Sequence, residues 1–457
     1  MQIDLSLKPS DLKNKLSHFW QLSGQKILDI EKNYDSTKGA PVFTINGKYS
    51  SRGWTEWTQG FQYGSALLQF EARGDEQFLN IGKENTLKKM GPHLTHIGVH
   101  DHGFNNISTY GNLLRFMNEG LIPFNEWEQE FYQMALKVSG TVQGSRWTNT
   151  KEGGYIHSFN GPHSLFVDTI RSVRILMLSH FMGHQFKGEN DQVISLLKRG
   201  FEHIKATAKY NVYYNEGRDK YDDWGRTAHE CIFNVNDGNF RSASTQQGFS
   251  GFTTWTRGLS WAISGFAEEL EFLAKVPENA FPEGFSKKDM LAIIEKAARA
   301  TCDFFIENTA KDGITYWDTG APNLYKLGDY KSADSNPYND FEPIDSTAAA
   351  ISAQGLIRLG KYLNDEKYIQ AGLTTTQTLL SNPYISEETT HQGILLHSIY
   401  HEPNSWDNVP EGQKIACHES SMWGDYHMRE LAIYIDRMIQ GKPDYAFFNC
   451  MEEFRNK

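Results

Sequence analysis

Apolar residues recur every three or four positions along most of this chain, and the strict alternation of a half-buried strand is scarce. The spacing predicts about twelve helices. They run near 9–33, 57–73, 76–90, 108–118, 124–139, 164–186, 190–209, 255–275, 286–309, 344–363, 364–382 and 419–438. Several ends are readable. Ser10 and Asp11 follow Pro9 at the first helix. Asn125 precedes Glu126 and Glu128, a cap followed by charges that suit the helix dipole. Gly360 falls where the helix begun near Ile344 should end.

Between the helices lie long segments, 92–107, 140–163, 210–254, 310–343 and 383–418, rich in Gly, Asn, Asp, His and aromatics. They exceed simple connections. Loops of this kind, gathered at one end of a helical scaffold, build sites. The pattern fits an all-α toroid of helical hairpins, an (α/α)6 barrel. An open solenoid is the rival, and the absence of a crisp repeat period favours closure. No linker or low-complexity tract interrupts the chain, so one catalytic domain over 1–457 is expected.

Composition narrows the function. The 457 residues can bury a large core. Aromatics reach 13%, with 11 Trp, a supply of stacking surfaces as well as core. A formal charge of -11 argues against nucleic acid as a partner. It also means that an acidic ligand would need a local basic pocket, for which Arg257, His229 and Arg171 are candidates. Cys231, Cys302, Cys417 and Cys450 are far apart and read as free thiols. There is no membrane-spanning run and no hydrophobic signal core. A cytoplasmic monomer or homodimer is expected, or a periplasmic one if a signal peptide has been removed. No P-loop, GxGxxG, HExxH or GxSxG occurs, and the 16 His show no ligand spacing, so neither cofactor nor metal is expected.

The most telling stretch is 247–261, QGFSGFTTWTRGLSW. Indole faces at Trp255 and Trp261 beside the Arg257 guanidinium suit a sugar ring that carries a carboxylate. A buried Trp pair and a structural Arg would give the same letters. In HDHGF at 100–104, Asp101 stands between two imidazoles and next to a glycine that permits close approach, although a loop Asp capping the next helix reads as well. Asp168 falls on the helix expected over 164–186, among Phe166, Val167 and Ile170. Desolvation there would raise its pKa toward that of a general acid; pairing with Arg171 is the plainer reading. His229 could donate to a sugar oxygen. Asp345 and Ser346 read as a helix cap, and Trp423-Gly424-Asp425-Tyr426 opens the last helix.

Taken together these segments resemble the unsaturated glucuronyl hydrolases, glycoside hydrolase family 88. The matching pieces are HDHGF, the Asp168 helix, His229, Gln247-Gly248, Trp255-x-Arg257-Gly258-x-x-Trp261, Asp345-Ser346-Thr347, Gly393 to His397 and Trp423 to Tyr426, in the family's order over roughly 95–440. Family 105, the unsaturated rhamnogalacturonyl hydrolases, shares the barrel and the logic and is the nearest competing reading. The resemblance implies an (α/α)6 barrel with no metal or organic cofactor. It implies substrates shortened by a polysaccharide lyase, which carry a C4=C5 double bond in a terminal uronic acid. It assigns Asp168 as the acid that protonates C4 and then the base for water, and Asp101 as the second essential carboxylate. His229 and Gln247 would contact the uronic acid and the water. Trp255 and Trp261 would wall the pocket, and Arg257 would lie near the substrate carboxylate or order the aspartates. His102, Gly251-Phe252-Thr253 and Leu259 depart from the family's pattern and bear on the neighbouring sugar and on sulfate. A conventional two-carboxylate glycosidase and a non-catalytic acidic-sugar binder are the other readings.

Overall fold

The computed structural model describes residues 1–53 and 56–455. Twelve helical segments are present among them, most of them near the places the periodicity marks, although the one expected over 108–118 already begins at His102. Six of these contact one another in a closed cycle. Gln59–Arg73 touches the segment that starts at His102–Asn106 and runs on to Asn118. That segment meets Thr169–Ser172, which meets Thr256–Lys275, then Ser346–Leu363, then Met422–Gln440, which returns to Gln59–Arg73. The other six are Lys13–Asn33, Glu76–Lys89, Glu126–Ser145, Leu196–Ala206, Lys287–Asn308 and Glu366–Leu379; each packs on a member of the cycle except Leu196–Ala206, which packs on Arg174–Phe181, the helix that follows Thr169–Ser172.

Burial explains the difference between the two sets. Thr256–Lys275 and Ser346–Leu363 are buried nearly all round, and their small residues allow close packing. Lys13–Asn33 and Glu126–Ser145 bury one stripe and leave a polar face. Asn125 caps as expected, accepting from Glu128 N–H. Asp345 caps as expected too, accepting from Thr347 and Ala348. Gly360 does not end its helix. The chain continues to Leu363, and Asn364 takes the left-handed turn. Gly360 is instead a contact point, where a Cβ would lie 2.6 Å from the Ile369 backbone.

Where the cycle's helices face one another the lining is charged. Arg171 forks onto Glu268 at 3.0 Å and meets Glu430 at 2.6 Å, and Arg174 reaches Glu268 at 3.0 Å. His427 also contacts Arg171. Charges this deep persist only when paired, and removing one partner strands the other. All four cysteines are free and buried. Among the described residues no helix is long and apolar enough to cross a membrane.

Two expectations change. The pattern over 164–186 is not one helix. Ser164–Phe166 is a strand paired antiparallel with Glu230–Ile232, followed by the Thr169–Ser172 turn and a second helix at Arg174–Phe181. An apolar run of this length satisfies either state, and its cross-strand partner decided it. The 190–209 pattern likewise begins with the short strand Val193–Ile194, and the helix starts only at Leu196.

Candidate active site

One cleft of about 540 Å³ opens among the long loops. Ligand pockets usually span roughly 300–1,000 Å³. It collects every site residue expected from sequence except His229, which stands just behind the wall against Trp255, ring centroids 4.5 Å apart.

Asp101 and Asp168 head two helices that come unusually close. Gly103 makes this possible: a Cβ there would lie 2.0 Å from the Ser172 carbonyl oxygen. Asp101 occupies the cap position of His102–Asn106, but its side chain does not cap. Asp168 precedes Thr169–Ser172 and does not cap either. Nor does it pair with Arg171, which turns away to Glu268 and Glu430. One ligand atom from each of His100, Asp101 and Asp168 lies within 4.8 Å of the others. Each Asp is only 7% exposed.

Their electrostatics differ. Burial pushes Asp101 up to about 6. The His100 charge opposes this, and the neighbouring Asp168 adds to it. Burial also pushes Asp168 up, but there the His100 hydrogen bond and charge outweigh it, with His229 adding to the effect. Asp168 is held below the ordinary carboxylate range. His100 Nε2 sits 3.1 Å from Asp168 Oδ2. Its own pKa is raised, because the two carboxylates overcome the cost of burial. The expectation that desolvation makes Asp168 the protonated group therefore fails for the free site. The His100 partner wins, and of the two carboxyls Asp101 keeps its proton to the higher pH.

His229 is held in one tautomer. Its Nδ1 accepts from Gln246 N–H at 3.1 Å and Gln247 N–H at 3.3 Å. Burial brings its pKa down to about 4, so the neutral ring carries its proton on Nε2. That Nε2 and Asp168 Oδ1 are both buried with no hydrogen-bond partner among the described residues, and they face each other at 3.9 Å. At that separation they are too far apart for a direct hydrogen bond.

Arg257 is committed elsewhere. It donates to Asp345 Oδ2 at 2.9 Å, to the carbonyls of Ile399 and Tyr400, and to Gln247 Oε1 at 3.0 Å. It is 1% exposed. Its guanidinium orders Gln247 instead of standing open to an anion, which corrects the anion-pairing reading. Arg171 is not a pocket cation at all. Trp255 and Trp261 line the cleft, Trp261 resting on Phe104 at 4.8 Å between ring centroids.

Sequence reading missed Trp57, Phe159, Gln246, Tyr400, His401 and Trp406, which also line the cleft. Trp57 stacks on Trp423 at 5.0 Å. Tyr400, His401 and Trp406 come from the long 383–418 segment. Its length marked it as site-forming, but nothing local singled out these residues.

No family model matches the chain. It is 23% identical over 380 residues to an unsaturated glucuronyl hydrolase of Formosa agariphila, covering 82% of this chain and 78% of that one. It is 22% identical over 434 residues to an unsaturated chondroitin disaccharide hydrolase of Streptococcus agalactiae, covering 93% and 90%. The crystal structure of an unsaturated glucuronyl hydrolase from Bacillus sp. GL1, described as responsible for the degradation of glycosaminoglycan, superposes with a TM-score of 0.68 at 20% identity. The match covers 93% of this chain and 98% of that one, and the two share a fold.

Proposed function

We propose that this chain, a relative of the unsaturated glucuronyl hydrolases, is a glycoside hydrolase that removes the terminal 4,5-unsaturated uronic acid from lyase-generated oligosaccharides by hydrating the C4=C5 vinyl ether. The cycle of six helices with six packed on it is, on this reading, a single (α/α)6-barrel catalytic unit. The observation that carries the mechanism is the facing pair of unsatisfied groups, Asp168 Oδ1 and the proton-bearing Nε2 of His229, 3.9 Å apart in a buried aromatic pocket. Together they present a donor and a base to a water admitted with the substrate.

In this reading the uronate ring lies between Trp255 and Trp261, with Gln247 held by Arg257 toward it. An incoming substrate carboxylate adds a like charge beside the Asp pair and raises the pKa of Asp168, which takes up the shared proton. Asp168 then delivers it to C4. The C4=C5 electron pair forms the new C4–H bond, leaving an oxocarbenium across C5 and the ring oxygen. Water attacks C5 and returns a proton to Asp168. The C5 hemiketal opens to a ketone by breaking the bond from C5 to the ring oxygen. The hemiacetal thereby exposed at C1 collapses to an aldehyde and releases the next sugar. One acid–base group and one neighbour suffice, whereas ordinary glycoside cleavage needs two carboxyls flanking the anomeric bond.

A second assignment has Asp101 give the proton, because the proton rests there in the free site. Asp101→Asn separates the two. Residual hydration whose falling limb has moved to lower pH assigns the proton to Asp168, and no residual hydration assigns it to Asp101. The function itself is tested by pairing an unsaturated disaccharide with its saturated counterpart of the same linkage. Turnover of the unsaturated sugar alone supports hydration. Cleavage of both supports a conventional glycosidase, and binding without turnover supports a sugar-binding protein.

A further inference from the structure

A chain of net charge -11 that takes an acidic sugar needs an uncommitted cation at its pocket. Two arginines near the cleft are spent. Arg257 is saturated by Asp345, Gln247 and two carbonyls. Arg146, whose charge bears on Asp101, donates to the carbonyls of Ile97, His157 and Ser158.

Arg52 is different. Its guanidinium lies 4.1 Å from the ring centroid of Trp406, which lines the cleft, and 5.8 Å from that of Phe43. Its Nε is buried with no hydrogen-bond partner, and among the described residues Arg52 forms no ion pair. The nearby loop carboxyls do not neutralise it. Asp407 accepts from the backbone N–H groups of Tyr400 and His401. Burial, then Asp407 and Glu342, push Glu402 up to about 7, with no cation opposing them. The Arg52 charge is nonetheless felt in the cleft, where it contributes, after burial and other groups, to holding His401 down at about 4. A guanidinium stacked on an indole keeps its edge N–H groups available for a planar or tetrahedral oxyanion.

Depth says which part of a substrate meets it. The reacting ring must reach Asp101 and Asp168 at the buried end, whereas Arg52 and Trp406 are half-buried. We propose that Arg52, held on Trp406, binds an anionic substituent on the sugar next to the unsaturated uronate, a sulfate ester or a second carboxylate, and so sets which lyase products this chain prefers. The inference rests on the function proposed above and adds a specificity residue to that site.

The test uses two unsaturated disaccharides that differ only in one sulfate on the neighbouring sugar, with wild type, Arg52→Ala and Arg52→Lys. Arg52→Ala should lower kcat/KM for the sulfated sugar about 10- to 100-fold, mainly through KM, and leave the unsulfated sugar within about twofold. Arg52→Lys should recover only part of the loss. A carboxylated neighbour in place of the sulfate separates the two sources of the anion: a loss confined to the sulfated sugar assigns the site to a sulfate ester, and a loss confined to the carboxylated sugar assigns it to a second carboxylate. Equal losses on all substrates would overturn the proposal by placing Arg52 on the uronate or in the scaffold, and unchanged kinetics would overturn it outright. Calorimetric binding of the same sugars reads the same contrast without turnover. If binding shows the contrast and no sugar is consumed, the hydration reading fails and the Arg52 site stands.

Discussion

Replacing Asp101 with Asn should stabilise the protein, and only above a definite pH. The buried carboxyl titrates at about 6 in the folded chain against 3.8 for the unperturbed group. At 1.36 kcal/mol per unit, ionised Asp101 costs the native state about 3 kcal/mol. The sign follows from proton binding. Between pH 3.8 and about 6 the folded chain binds more protons than the unfolded chain, so stability falls as pH rises through that window. Asn matches the neutral acid in shape and never ionises. The variant should therefore equal wild type near pH 4, gain progressively to pH 6, and keep the full advantage above it. With an unfolding entropy of roughly 2.1 cal/mol/K per residue, a chain of 457 residues gains about 3 °C in Tm for 3 kcal/mol. Differential scanning calorimetry from pH 4.5 to 8 on both proteins reads this directly. A variant with the same difference in Tm at pH 4.5 and pH 8, or one less stable at pH 8, would refute the placement of the proton on Asp101. The loss of activity expected in the same variant would then be a case of stability traded for function.

Three further outcomes follow from the same geometry. In wild type, kcat/KM should fall as pH rises past about 6, because the free enzyme's carboxylate pair loses its one proton there; a rate that climbs from pH 6 to 8 would contradict this. Arg257→Met should cost about 3–5 kcal/mol in denaturant unfolding, since it strands the buried Asp345 carboxylate, and should also weaken substrate binding by releasing Gln247. A loss under 1 kcal/mol would show that Asp345 is not dependent on Arg257.

How legible the chain was depended on which physics decided each element. The long helices repeat apolar positions so regularly that their existence could be read directly, as for 255–275 against the observed Thr256–Lys275, whereas the cycle's short member Thr169–Ser172 could not. Asp345 was readable because a cap is a local interaction. Asp168 was readable as a residue but not in its setting. The run around it suits helix or strand, and pairing with Glu230–Ile232, more than sixty residues away, settled the matter. The same distance hid the effect of His100 on Asp168, so the expected direction of the pKa shift was wrong. Arg257 illustrates the limit from the other side: an Arg beside two indoles looks like an anion receptor until Asp345, 88 residues on, takes its charge. Trp406 and Arg52 had no local signature, because their meaning lies in contact between the ends of the chain.

The central claim is that Asp168 drives addition of water across C4=C5. The most direct measurement follows ultraviolet absorbance of the conjugated double bond together with release of the neighbouring sugar, for wild type and Asp168→Asn on one lyase-generated disaccharide. The account predicts that wild type loses one double bond per sugar released, and that the variant, still folded and still binding, is slower by several orders of magnitude. Sugar released while the double-bond absorbance persists, or an Asp168→Asn variant as fast as wild type, would contradict it.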